Sequence, residues 1–277
     1  MRRIDSHQHF WRLDRGDYDW LTPDLAPLYR DFGPEDLAPH LAALGIAASV
    51  VVQAAETDAE TDYLLGLAAA KPWIAGVVGW TDLEAPGAPA RIAALAGNPA
   101  LLGLRPMMQD MADDDYILRP SVRPALEAMG AAGLRLDALV RPRHLPRLVE
   151  LRQRLPELPI VVDHGAKPGI AEGAMHPWAA ALRAVAADGV TCCKLSGLVT
   201  EAGADWTVER LRPFVDVILS AFGPARVMWG SDWPVLTLAA SYDGWREATD
   251  RLLDGLSAAD RAAVLGGTAA RFYGLEA

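Results

Sequence analysis

Ile4-Asp5-Ser6-His7-Gln8-His9-Phe10-Trp11 reads as a short strand that ends in a pair of histidines. Alternate side chains along a strand share a face, so His7 and His9 converge on one point. Two convergent imidazoles can hold a metal or polarise a substrate; a satisfied strand-end pair is the plain alternative. The stretch decides the fold because its pattern recurs: a short apolar run, a polar end, then a helical period.

Such runs lie at residues 3–5, 47–53, 74–80, 101–105, 134–139, 160–163, 191–195 and 226–229. Helical patterns separate them. The first opens on Gly33-Pro34-Glu35-Asp36, with Pro at the first helical position and acids in the first turn. Leu37, Leu41 and Leu44 share its inner face, and Gly45 stops it. After the eighth helical pattern, Ser257 to Asp260 caps one more at the C-terminus. Eight alternations in 277 residues, without linker or repeat, predict a single-domain (β/α)8 barrel over residues 1–277. No Gly-rich dinucleotide fingerprint follows the first strand, which argues against an open doubly wound sheet.

Composition bounds the function. A net charge of −10 argues against nucleic acid and against an anionic membrane surface. No apolar run reaches the ~20 residues of a membrane span, and Met1-Arg2-Arg3-Ile4-Asp5 lacks a secretory h-region, so a cytoplasmic location is expected. Cys192 and Cys193 are neighbours in a strand and point to opposite faces, which argues against a mutual disulfide. Nothing near them would activate a thiol.

In such barrels the chemistry sits where strands end. Those ends carry His7 and His9 with a Trp- and Tyr-rich loop at residues 10–32, Gln53 and Glu56, Arg105, Asp137, Asp163 with His164 and Lys167, Lys194, and Asp232 with Trp233. A carboxylate among histidines and cations can act as a general base toward water, while Arg105 and Lys194 steady an oxyanion. The set suits hydrolysis of an activated carbonyl. Plainer readings stand beside it. Asp232 could cap a helix, Asp163 could orient His164, Lys194 could lie on the outer face, and Arg105 could tie its loop. The loop tryptophans serve lid packing as well as they serve sugar contacts. His40, His144 and His176 read as structural or solvated.

Asp5-Ser6-His7-Gln8-His9-Phe10-Trp11, Val162-Asp163-His164-Gly165-Ala166-Lys167-Pro168, Cys193-Lys194-Leu195-Ser196-Gly197 and Trp229-Gly230-Ser231-Asp232-Trp233-Pro234 together resemble the amidohydrolase superfamily, in its amidohydrolase-related branch of lactone hydrolases. Leu265 to Gly274 resembles that branch's C-terminal segment. The resemblance implies a distorted barrel that opens a sugar lactone, of the L-fucono- or L-rhamnonolactone type, to its acid. Asp232, His164 and Arg105 are then the expected catalytic residues. His9, Lys194, Trp11, Gln53 and Trp233 are the expected substrate contacts. Binuclear members bridge their ions with a strand-four lysine or acid and use a strand-five histidine. Here strand five has no histidine and strand four ends in Arg105, so a binuclear centre is not expected. His7, His9 and Asp232 could hold one zinc that the chemistry does not require. The expected partner is a small sugar lactone, with no nucleic acid or membrane, and the chain a monomer or homodimer. Hydrolysis of a pyrone dicarboxylate, zinc-dependent decarboxylation of an aromatic acid, and sugar binding without catalysis are the rival readings.

Overall fold

The structure is a computed structural model that describes residues 2–275. Eight parallel strands stand in the order β1 to β8. They are β1 (Ile4–Gln8), β2 (Ala48–Val52), β3 (Ile74–Gly79), β4 (Leu101–Leu104), β5 (Arg135–Ala138), β6 (Ile160–Val162), β7 (Cys192–Leu195) and β8 (Val227–Trp229). Each falls within or beside its expected run. Both faces of a parallel strand are covered, so it reads as an unbroken apolar run rather than an alternation. The helices α1 (Pro34–Leu44), α2 (Asp58–Ala70), α3 (Ala88–Leu95), α4 (Arg123–Ala131), α5 (Leu145–Arg154) and α6 (Trp178–Ala186) follow β1 to β6. A short α7 (Leu198–Ala202) and then α8 (Val208–Phe222) follow β7. After β8 come α9 (Tyr242–Leu252), α10 (Ala258–Ala262) and α11 (Thr268–Tyr273). The C-terminal helix expected after Ser257 is therefore two helices, parted by a widened turn in which Gly266 leaves helical geometry.

Alternate strand residues, including Ile4, Val50, Val52, Val78, Leu102, Val161 and Met228, form a compact inner cluster. Tyr273 of α11 joins it, and its hydroxyl donates to Asp137 Oδ2 at 2.7 Å. The complementary strand residues pack outward against the helices in the larger core. The inner layer fills the barrel below a polar layer, which supplies the floor of the site.

The ring closes between β1 and the segment after β8. Gln8 bridges Trp233 in parallel; His9 N–H donates to Trp233 O at 2.7 Å, and Asp232 N–H to His7 O at 2.8 Å. Gly230 permits the approach, since a Cβ there would stand 2.7 Å from His7 Cβ. One buried carboxylate organises the seam. Asp5 Oδ1 accepts from Ser231 N–H at 2.9 Å and His7 N–H at 3.2 Å, and Oδ2 accepts from the Tyr242 hydroxyl at 2.8 Å. Burial pushes the Asp5 carboxyl up to about 6, while these donors pull the other way. Tyr242→Phe removes one donor and leaves a buried acceptor short. It is expected to lower stability by about 1–3 kcal/mol in urea unfolding, the usual cost of an unmet buried polar group. An unchanged midpoint would contradict the seam's dependence on Asp5.

Candidate active site

The seam sets His7 and His9 against Asp232. His7 Nε2 and His9 Nε2 lie 3.2 Å apart, and Asp232 Oδ1 is 3.2 Å from His9 Nε2 and 3.7 Å from His7 Nε2. His164 Nε2 approaches the same oxygen at 3.8 Å. Arg105, at the end of β4, brings Nη1 to 3.3 Å from His7 Nε2 and 3.5 Å from Asp163 Oδ2. The five residues the sequence singled out as chemical therefore converge, each almost fully buried. Local backbone strain holds two of them. His164 (φ 54°) begins a run of left-handed residues through Lys167, and Asp232 has φ 60°. Non-glycine residues adopt this region at a cost that the surroundings must override, and it recurs at functional sites. Gly197 meets the first of these turns; a Cβ there would lie 2.6 Å from His164 Nδ1.

The charge pattern has a physical cause. Burial and the nearby Lys194 hold the His7 imidazole well below its ordinary range, and burial takes His164 down to about 4. Both rings are neutral at pH 7. Burial alone would raise Asp232, but His164, His9 and His7 outweigh it and hold the carboxyl far below the carboxylate range. Asp163 behaves alike: burial acts upward, and Lys194, His7 and Arg105 keep it ionised.

Several expected contacts fall elsewhere. Lys194 is neither on the outer face nor in the cavity. It is fully buried beneath His7, with Nζ bonded to Asp137, 3.1 Å from Asp163 Oδ1 and 3.1 Å from His7 Nδ1. Asp163 accordingly faces these cations rather than serving His164, whose Nδ1 lies 2.8 Å from Ser196 Oγ. Trp11 is sealed in the core, its Nε1–H given to Arg30 O at 2.9 Å. Trp233 packs edge-on to Phe10 and Phe32. Gln53 is buried and clasps Arg105: its carbonyl accepts from Nη2, and its Nε2 donates to the Arg105 carbonyl at 2.9 Å. It contacts Arg105 and is not among the residues that line the cavity. Buried Cys192 and Cys193 are free, and burial pushes both thiols up, Cys192 to about 11.

A cavity of about 280 Å3 opens above the site. His9, Arg105, His164 and Asp232 line its base; Trp20, Met107, Gln109, Asp110 and Lys167 line its walls and rim. Trp20, rather than Trp11, lines the cavity. It is 36% exposed, stands edge-on to Trp11 at 5.4 Å, and is tied by Nε1–H to Ala54 O at 2.7 Å. Both tryptophans lie in one aromatic loop, and its composition alone does not say which one faces out.

The donor set fits a single divalent ion. His9 Nδ1 lies 2.8 Å from Val52 O, a pure acceptor, so Nδ1 carries a proton and Nε2 is the nitrogen turned to the site. His7 Nδ1 faces Lys194 Nζ at 3.1 Å and Asp163 Oδ1 at 3.5 Å, which leaves Nε2 as the nitrogen turned to His9 and Asp232. Two nitrogens and Asp232 Oδ1, all within 4.8 Å of one another, are the count and type of a catalytic zinc site. A second cluster, His7, Asp163 and His164, is also close-set, but Lys194 and Arg105 already stand against Asp163.

A carboxylate set among imidazoles at the C-terminal mouth of a parallel barrel defines a barrel hydrolase site. The chain belongs to the amidohydrolase family, whose profile matches residues 4–275. It is 47% identical to an L-fucono-1,5-lactonase of Burkholderia ambifaria, over 99% of this chain and 96% of that one. It is 44% identical to an L-fucono-1,5-lactonase of Burkholderia multivorans, again over 99% and 96%. A crystal structure of a Burkholderia multivorans amidohydrolase with bound zinc has a TM-score of 0.93 at 42% identity, with both chains covered over 100% of their length.

Replacing Lys194 by Met would leave Asp137 and Asp163 buried without their shared cation. A loss of about 3–5 kcal/mol is expected in thermal or denaturant unfolding, the usual result of breaking a buried ion pair. A variant as stable as the parent would contradict the buried placement of Lys194.

Proposed function

We propose that the chain hydrolyses a sugar lactone, an aldonolactone of the L-fucono-1,5-lactone type, to the aldonic acid. The observation that carries the reading is one ionised carboxylate held among three imidazoles at the base of a cavity sized for one sugar ring. The likeness to two L-fucono-1,5-lactonases supports the same substrate class.

Water attacks the lactone carbonyl while Asp232 accepts its proton. Arg105 and His164 polarise the carbonyl and stabilise the oxyanion. As the ring C–O bond breaks, Asp232 returns the proton to the ring oxygen, and the product leaves as acid and free hydroxyl. His9 orients the water, and Lys194 and Gln53 act from beneath by fixing His7 and Arg105. A divalent ion on His7, His9 and Asp232 would add Lewis-acid polarisation and a more acidic bound water.

The rim favours a neutral ring over a pyrone dicarboxylate. Among the described residues lining the cavity, Lys167 is the one cation besides Arg105 and is paired with Glu201 at 3.1 Å, while Asp110 is paired with Arg141 at 3.2 Å, so a second carboxylate would meet no free cation there. The exposed face of Trp20 suits the apolar face of a sugar.

Asp232→Asn keeps the left-handed backbone, which Asn tolerates. It is expected to lower turnover of L-fucono-1,5-lactone by about 10²–10⁴-fold with its melting temperature nearly unchanged. Retained turnover would contradict the scheme. Stripping metal with a chelator, checked by metal analysis, is expected to leave turnover within about tenfold. A far larger loss that zinc alone restores would move the activation of water onto the ion, and lactonase silence with decarboxylation of an aromatic acid would replace the reading.

A further inference from the structure

A larger cavity, about 570 Å3, opens at the opposite end of the barrel. Arg2, Arg3, Arg246, Arg261 and Asp250 line it, with Leu256 and Leu265 among its apolar walls. Arg3 precedes the first residue of β1 and His9 follows the last, so about 20 Å of extended chain separates this cavity from the hydrolase site.

Its charge is under-compensated. Asp250 Oδ1 serves two guanidiniums at once, Arg246 Nη2 at 3.0 Å and Arg261 Nη2 at 2.9 Å. Arg261 Nη1 has a second, looser partner in Asp254 at 3.5 Å. Arg2 and Arg3 donate to the backbone carbonyls of Ala47 and Leu44, at 3.2 and 2.9 Å, which satisfies hydrogen bonds without cancelling charge. Arg246 is 4% exposed, and its Nη1 has no hydrogen-bond partner among the described residues. Burial draws that guanidinium down, and the repulsion of Arg3 and Arg261 adds to the pull against Asp250. Among the described residues, four guanidiniums face two carboxylates here, in a chain of net charge −10, and form a local positive well. The N-terminal end of such a barrel ordinarily serves stability, and stability would be better met by pairing these arginines or replacing them.

We propose that this cavity binds a small multivalent oxyanion, a phosphate ester or a polycarboxylate, at a site separate from the hydrolase centre. Planar guanidiniums match both groups through paired N–H···O bonds. The volume lies within the range of small-ligand sites. A bound anion would tie the start of β1 to α9 and α10.

Isothermal titration calorimetry of the whole chain at low salt, with pyrophosphate and with citrate, tests the site. One saturable site per chain is expected, and the tighter probe names the class. Arg261→Gln should weaken it by about tenfold or more, the loss of one charge-assisted hydrogen bond. The Arg261 side chain is 30% exposed, so its replacement should leave the anion-free melting temperature and lactone turnover unchanged. Arg3→Gln, from a different element, should weaken the same site. No saturable heat with either probe would overturn the proposal. Equal binding by the parent and both variants would overturn it too, placing the anion elsewhere, such as beside Arg105.

Discussion

The closure of the barrel between its first strand and the segment after its last is the constraint on which the rest depends. Asp5 holds that seam through Ser231, His7 and Tyr242. It is buried and partly frustrated, since burial disfavours its charge while three donors favour it. Because the seam closes in this register, histidines from residues 7 and 9 meet a carboxylate more than two hundred residues away. The left-handed Asp232 and the glycine at 230 are local consequences of that closure.

Above the seam the site is built from charges that cannot relax. Lys194 and Arg105 keep Asp163 ionised, Lys194 helps to keep His7 neutral, and the histidines keep Asp232 ionised. In a buried setting such mutual dependence is stiff, because removing one member exposes the others to an uncompensated desolvation cost. The site thus presents a fixed carboxylate and fixed donors to the substrate, with little reorganisation left for the reaction step.

Much of this was legible in the sequence. The strands were readable because parallel strands buried on both faces are continuous apolar runs, and the chemistry because it sits at their ends. His7, His9, His164, Asp232 and Arg105 are among the residues that rule marks, together with Gln53, Glu56, Asp137, Asp163, Lys167 and Lys194, and the family resemblance narrowed the choice. The remainder turns on depth and on loop path. Lys194 and Asp137 lie on the inner face, one layer below the cavity, and a sequence period gives a side chain's face but not its layer. Gln53 faces inward, but its side-chain amide nitrogen and its backbone carbonyl both bond Arg105. Trp11 is buried and Trp20 reaches the cavity because residue 11 pairs back to Phe32. The irregular turn at Gly266 depends on contact with the N-terminal strand, where a Cβ would stand 2.1 Å from Arg2 O, and no local pattern announces it.

The central claim is that Asp232 works through water on the carbonyl carbon. Single-turnover hydrolysis of L-fucono-1,5-lactone in ¹⁸O-water, with enzyme in excess, tests it most directly. The account predicts one ¹⁸O in the carboxylate of the product and none in its new hydroxyl or in the protein. Label in the hydroxyl, or in the Asp232 side chain, would contradict it.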